Sequence, residues 1–79
     1  MADNITVEFT IEPFVDGLLP AYVTAAVEAL GALGITAVVG PFGTAFTATP
    51  VQVGPAVAAV LSAAYANGAT HVSIDSGRI

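Results

Sequence analysis

The sequence has 79 residues, a net charge of −5, no cysteine, no lysine and a single arginine, Arg78. Without cysteine the chain can form neither disulfides nor cysteine-based zinc and thiol sites. With only one basic residue it lacks the cations that bind nucleic-acid backbones and anionic membrane surfaces. The sign of the charge instead favours a small cationic or neutral ligand.

Chain length and hydrophobicity together favour self-association. The length predicts one domain over residues 1–79, and a domain this small buries too little surface to be very stable alone. Hydrophobic residues make up 56% of the sequence and charged residues only 9%. We therefore expect copies of the chain to cover part of one another's surface, as a homodimer or homotetramer formed by sheet packing.

No membrane span is expected, although the chain carries no Asp, Glu, Lys or Arg from Ala29 to Ile74. Glycines and prolines divide this stretch into pieces shorter than the ~20 apolar residues that a spanning helix needs. The acidic start, Met1-Ala2-Asp3-Asn4, is unlike the basic start of a signal peptide. These features predict a cytoplasmic protein without a membrane partner.

The first half of the chain predicts a strand followed by a helix. Apolar and polar residues alternate from Ile5 towards Phe14, as in a half-buried strand, and Asp16-Gly17 predicts its exit loop. Pro20 suits the first turn of a helix, and Gly34 suits its end. The apolar residues that recur at helical spacing between them are Val23, Ala26, Val27, Leu30 and Leu33.

The second half predicts a hairpin, a helix and a last strand. A short β-branched run, Ile35 to Gly40, leads into a turn at Gly40-Pro41-Phe42-Gly43, and Thr44 to Thr49 returns. Thr49 to Gln52 has the spacing of a capping box, whereas Pro55 predicts either a kink or a later helix start. The apolar stripe of this helix is Val53, Val57, Val60, Leu61 and Ala64, and the last strand is Thr70 to Asp75.

The order of these elements predicts an α+β, ferredoxin-like βαββαβ sandwich. Two right-handed crossovers joined by a hairpin give a four-stranded antiparallel sheet with both helices on one face. In this topology the first and third strands are central, and the last strand lies beside the first.

The sheet face without helices gathers much of the scarce charge. Glu8 and Glu12 alternate with threonines on the first strand, while His71 and Asp75 fall on the last. The hairpin adds either Thr44 and Phe46 or Thr47 and Thr49, because the sequence alone leaves its register open. One interpretation is a solvated face; the other is a ligand site. The candidate ligand-binding residues are Glu8, Glu12, Thr44, Thr47, His71 and Asp75.

Catalytic and metal chemistry are not expected on this face. His71 and Asp75 are four residues apart on one strand, about 13 Å, which is too far for a dyad. A pair between His71 and Glu8 or Glu12 across strands is open. No activated nucleophile, phosphate loop or metal-ligand spacing is present in the sequence. We therefore expect a protein that is not an enzyme, has no cofactor and holds no metal.

Short segments along nearly the whole chain resemble a known family in their order and spacing. They are Ile5-Thr6-Val7-Glu8, Tyr22-Val23, Gly34-Ile35, Pro41-Phe42-Gly43-Thr44, and Ile74-Asp75 with Arg78. Together they resemble the thiamine-binding YkoF-like family of small ferredoxin-like proteins. The resemblance implies a non-enzymatic protein that binds thiamine or its hydroxymethylpyrimidine part, in oligomers whose open sheet faces pack together. The alternative is a structural or regulatory oligomerisation module with no small-molecule ligand.

Overall fold

Six secondary-structure elements follow one another in the computed structural model of the chain, which describes residues 4–15 and 17–79. The predicted loop residue Asp16 and the acidic start at residues 1–3 lie outside the described residues. The elements are β1 (Ile5–Glu12), α1 (Ala21–Ala32), β2 (Val38–Gly40), β3 (Gly43–Ala48), α2 (Pro50–Ala66) and β4 (His71–Arg78).

The four strands form one antiparallel sheet in the order β2-β3-β1-β4. This order confirms the predicted ferredoxin-like α+β fold, with β1 and β3 in the centre and β4 beside β1. The period-two alternation of β1 matches a sheet with one covered face, because Val7, Phe9 and Ile11 are buried against the helices while the intervening side chains face away.

The core lies between the sheet and the two helices. Phe9 of β1 and Phe46 of β3 meet edge to face, with ring centroids 6.2 Å apart and planes at 61°. Small residues from α1 and α2 bring the two helices close together over these rings. The buried hydrophobic residues are Val7, Phe9, Ile11, Tyr22, Ala26, Leu30, Ile35, Phe46, Ala48, Ala56, Val60 and Ala64.

The start of α2 is fixed by the capping box that its sequence predicts. The backbone N–H of Gln52 donates to the Thr49 hydroxyl, and the Thr49 N–H donates to the Gln52 side chain. With these two bonds α2 begins at Pro50 and continues through Pro55, so a helix start near Pro55 was wrong.

Both helices end at a glycine in the left-handed region, α1 at Gly34 as predicted and α2 at Gly68. Gly34 has φ 78°, and the N–H of Ile35 bonds back to the carbonyl of Leu30. This Schellman arrangement keeps Ile35 at the end of α1, so β2 begins at Val38 rather than at Ile35. Leu33, which was expected in the apolar stripe of α1, is exposed at this end, and Tyr22 is buried instead.

The last strand is longer than its apolar alternation predicted. Pairing with β1 continues past Asp75 to Arg78, which lies opposite Ile5. Backbone pairing holds these last residues in the sheet although none of their side chains is buried. Over the described residues, neither helix has both the length and the apolar run that crossing a bilayer requires.

Candidate ligand-binding site

The side of the sheet that faces away from the helices, called the open face here, carries most of the predicted site residues. The pairing register decides which of them are neighbours. Glu8 lies directly opposite Asp75, Thr10 opposite Ser73, and Glu12 opposite His71. All of the β1 and β4 residues that were predicted for the site therefore share the open face.

Glu8 and Asp75 form a like-charged pair across β1 and β4. The N–H of Ile79 donates to the carbonyl of Asn4, so these two residues form a hydrogen-bonded pair. Hydrogen-bonded pairs recur at every second residue of an antiparallel ladder, and Glu8 and Asp75 are therefore also such a pair. Their Cα atoms are therefore about 5.5 Å apart, with both side chains on the same side of the sheet. Two carboxylates so placed repel each other when nothing lies between them, and a cation placed there would be attracted by both.

His71 lies opposite Glu12 and not opposite Glu8, so the register selects one of the two predicted cross-strand pairs. This pair stands at the far end of β1, four residues from Glu8, or about 13 Å along the strand. Glu12 and His71 therefore belong to the open face without joining the Glu8 and Asp75 pair.

The hairpin register separates the two threonines that were predicted for the site. Thr47 lies opposite Thr6 and is exposed on the open face. Thr44 lies opposite Phe9, so its side chain falls on the helix side, where the residue is only 4% exposed. Placing Thr44 on the open face was therefore wrong, because alternation gives residues 44 and 47 opposite faces. Thr49 belongs to the cap of α2.

A cleft of about 450 Å³ lies where the open face meets the β2–β3 hairpin. We call it the acidic cleft, because both Glu8 and Asp75 line it. Thr10 and Ser73 line it as well, and so does Phe42, whose ring is 89% exposed at the hairpin tip. The cleft thus combines two carboxylates, two hydroxyls and one accessible aromatic ring.

Phe42 is the exposed aromatic ring that lines the acidic cleft. Phe46, one of the two residues that the hairpin could have placed on the open face, is instead buried against Phe9. Phe14 lines a second cleft, of about 550 Å³, on the other side of the hairpin. This apolar cleft, as we call it, has no charged residue among its described lining residues and includes Leu18 and Leu19, which are 74% and 57% exposed.

Sequence reasoning missed the apolar cleft, although a signal was present. Leu18 and Leu19 stand between Gly17 and Pro20, outside both the strand alternation and the helical stripe. Apolar residues that fit neither period have no place in the core that those periods define. The hydroxyl of Tyr22 donates to the carbonyl of Pro13, which ties this loop to α1.

The open face presents carboxylates and hydroxyls to solvent. Over residues 4–15 and 17–79, no group of three or more acidic or histidine side chains is placed to hold a metal ion. The Glu8 and Asp75 carboxylates can accept hydrogen bonds and attract a cation, and the Thr10 and Ser73 hydroxyls can donate or accept. Such a site suits a flat, polar or positively charged molecule that is small enough to fit the cleft.

Neither a protein-family model nor a curated protein sequence matches the chain. Similar folds occur among solved structures. DUF77, a domain of unknown function from Bacillus cereus, superposes with a TM-score of 0.68 and 19% identity over 99% of this chain and 76% of its own. A protein from Streptococcus pneumoniae gives a TM-score of 0.69 and 19% identity, covering 96% of this chain and 84% of its own.

A third solved structure carries a functional description. It is a Thermotoga maritima protein that has been assigned provisionally to thiamine biosynthesis or salvage. It superposes with a TM-score of 0.66 and 21% identity, covering 95% of this chain and 81% of its own. At these identities the likeness establishes a shared fold, and at that level it agrees with the resemblance to the YkoF-like family.

Proposed function

We propose that this chain is a non-enzymatic protein that binds thiamine, or its hydroxymethylpyrimidine part, in the acidic cleft of a homo-oligomer. The observation that carries the proposal is the Glu8 and Asp75 pair, placed in a cleft beside an exposed ring. The fold shared with a protein provisionally assigned to thiamine biosynthesis or salvage supports the same class of ligand.

The chemistry of thiamine suits the residues of the cleft. The thiazolium ring is a permanent cation, and between Glu8 and Asp75 it would relieve the repulsion of the two carboxylates. The aminopyrimidine ring offers a donor and ring acceptors to the hydroxyls of Thr10 and Ser73. The exposed ring of Phe42 provides a stacking surface for either ring of the ligand.

The remaining predicted residues take outer positions in this proposal. Glu12, His71 and Thr47 lie on the open face but do not line the acidic cleft. Packing of a second open face over the first would cover them, so their proposed role is contact between subunits and not contact with the ligand. Thr44 also borders the cleft, beside the hairpin turn, although its side chain falls on the helix side of the sheet.

Calorimetric titration with thiamine and with hydroxymethylpyrimidine tests the proposal. We expect saturable binding that weakens at least tenfold in both Glu8→Gln and Asp75→Asn. Each substitution removes one charge from the exposed pair but leaves its shape unchanged. The matched control is Glu28→Gln, which makes the same chemical change on the exposed side of α1 and should leave binding unchanged. No heat at millimolar ligand, or equal affinity in all four proteins, would sink the proposal.

A second candidate function, an assembly module without a ligand, is favoured by the apolar cleft. Phe14, Leu18 and Phe42 expose most of their surface there, as is common at protein–protein interfaces. Under this alternative, Leu18→Ser would lower the association state and no tested ligand would bind. Under the main proposal, Leu18→Ser keeps thiamine binding, because Leu18 does not line the acidic cleft.

A further inference from the structure

The strand β4 leaves one long edge of the sheet unpaired among the described residues. It pairs with β1 on one side only, and it is the last strand in the sheet order. The pairing register with β1 runs without a break from Arg78 to His71, so the edge is regular over all 8 residues. An unpaired regular edge presents a row of backbone donors and acceptors to any strand that approaches it.

The phase of the sheet identifies which backbone groups point outward. The bond from the Ile79 N–H to the Asn4 carbonyl places odd-numbered residues of β4 in hydrogen-bonded pairs with β1. The N–H and carbonyl groups of Val72, Ile74 and Ser76 therefore point away from β1. No backbone hydrogen bond from elsewhere in residues 4–15 and 17–79 reaches these three residues.

The edge lacks several of the devices that usually prevent strands from pairing. Between His71 and Ser76 it has no proline, no lysine and no bulge. Val72 and Ile74 pack against the core yet remain partly exposed, so a neighbouring strand would bury more apolar surface. The opposite edge of the sheet differs, since β2 has 3 residues and runs directly into Gly40-Pro41.

We propose that β4 pairs antiparallel with β4 of a second copy of this chain, across a twofold axis at Ile74. A twofold axis perpendicular to the sheet keeps the helices of both copies on one side, so residues of the same parity must lie opposite each other. With the axis at Ile74, Ile74 faces its own copy and Val72 faces Ser76 of the partner subunit. All outward backbone groups of these three residues then find partners.

Charge and overlap select this register over its neighbours. An axis at Asp75 would put the two Asp75 carboxylates directly opposite each other, on a face that already carries Glu8. An axis at Ser73 or at Ser76 would reduce the part of β4 that is paired. The axis at Ile74 pairs residues 71–77, and it places Ser73 of the partner subunit opposite Asp75, where its hydroxyl can donate to the carboxylate.

This pairing also completes the acidic cleft. Asp75 and Ser73 both line the cleft, so Ser73 of the partner subunit adds a hydroxyl at its β4 side. Two such clefts then approach each other across the twofold axis on one continuous open face. The pairing itself needs no ligand, so it is testable independently of which molecule the cleft binds.

Sedimentation equilibrium over a range of protein concentrations tests the edge. We expect a dimer whose dissociation constant rises at least tenfold in Ser76→Lys and in Ser76→Pro, which place a charge or remove the outward donor at the edge. Ser76 is exposed, and its N–H is not used by the monomer. The control is Ser62→Lys, the same change on the exposed side of α2, which should dimerise normally. Circular dichroism verifies that each variant is folded.

Oxidative cross-linking tests the register, because the chain has no native cysteine. Ile74→Cys should form a disulfide dimer, since the paired Cα atoms would be about 5.5 Å apart. Val72→Cys should not cross-link to itself, because two copies of residue 72 would be four residues out of register. A protein that stays monomeric at all concentrations, or a dimer whose dissociation constant is unchanged in Ser76→Lys, would overturn the pairing. Cross-links between Val72→Cys and Ile74→Cys, with none at 74 alone, would overturn the register.

Discussion

At the scale of single residues, Gly43 shows how closely the hairpin approaches the central strand. A Cβ at this position would lie 3.0 Å from the carbonyl oxygen of Phe9 and 3.2 Å from Cγ2 of Thr10. The nearest atom belongs to the backbone of β1, which cannot turn away as a flexible side chain could. The approach brings the hairpin tip, and with it Phe42, to the edge of the acidic cleft.

We expect Gly43→Ala to destabilise the protein by about 1–3 kcal/mol, because the added methyl group strains either β1 or the hairpin. Thermal and urea unfolding measure the change. The control is Gly31→Ala, on the exposed side of α1 with no atom within 4 Å of the added Cβ. That variant should gain about 0.5–1 kcal/mol, because alanine favours a helix over glycine. Equal effects at the two positions would contradict the close approach at Gly43.

At the scale of elements, the capping box at Thr49 sets where α2 begins. The two reciprocal hydrogen bonds between Thr49 and Gln52 satisfy backbone donors that a helix start would otherwise leave unpaired. They also explain why α2 includes Pro50 to Gly54 even though Pro55 removes one bond from the interior of the helix.

Thr49→Ala should destabilise the protein by about 1 kcal/mol, the usual cost of losing an N-terminal cap. Amide hydrogen exchange should show the extra opening in residues 52–54, before it reaches the rest of α2. Thr24→Ala, the same change at an exposed position inside α1, should leave stability the same or raise it slightly. A loss at Thr24 as large as the loss at Thr49 would show that the cap has no special role.

The elements with strong local signals could be predicted from the sequence. The alternation in β1, the capping box of α2 and the glycines after both helices each depend on residues close in sequence, and the structure confirms them. The start of β2 could not be predicted, because an apolar Ile35 suits both the first residue of a strand and the end of a helix. Only the hydrogen bond from its N–H to the carbonyl of Leu30 assigns it to the end of α1.

The site was predictable as a face but not as a cleft. Alternation alone places Glu8, Glu12, His71 and Asp75 on one side of the sheet. Which of them meet depends on the register between β1 and β4, which no local pattern fixes. The same uncertainty in register explains why Thr44 was wrongly placed on the open face. A shift of one residue in β3 would have exchanged the face of Thr44 with that of its neighbours.

At the scale of the whole molecule, two kinds of association surface differ in charge. The β4 edge pairs backbone groups and apolar side chains, with no like charges opposite in the proposed register. Packing of two open faces would instead bring together Glu8, Glu12 and Asp75 from both copies, in a protein whose net charge is −5. Edge pairing should therefore be insensitive to salt and ligand, while face packing should depend on both.

We expect thiamine to shift the protein from an edge-paired dimer to a face-packed tetramer, because a cation in each acidic cleft offsets the repulsion between the faces. Sedimentation velocity at low ionic strength, with and without thiamine, measures the shift. Added NaCl should reproduce part of it by screening the carboxylates. Glu8→Gln with Asp75→Asn should pack face to face without ligand, whereas Glu28→Gln should behave as the unmodified protein. A tetramer that forms fully without thiamine at low salt, or thiamine binding without any change in mass, would contradict this coupling. Neither result bears on edge pairing, which the Ser76 variants and the cysteine cross-links test separately.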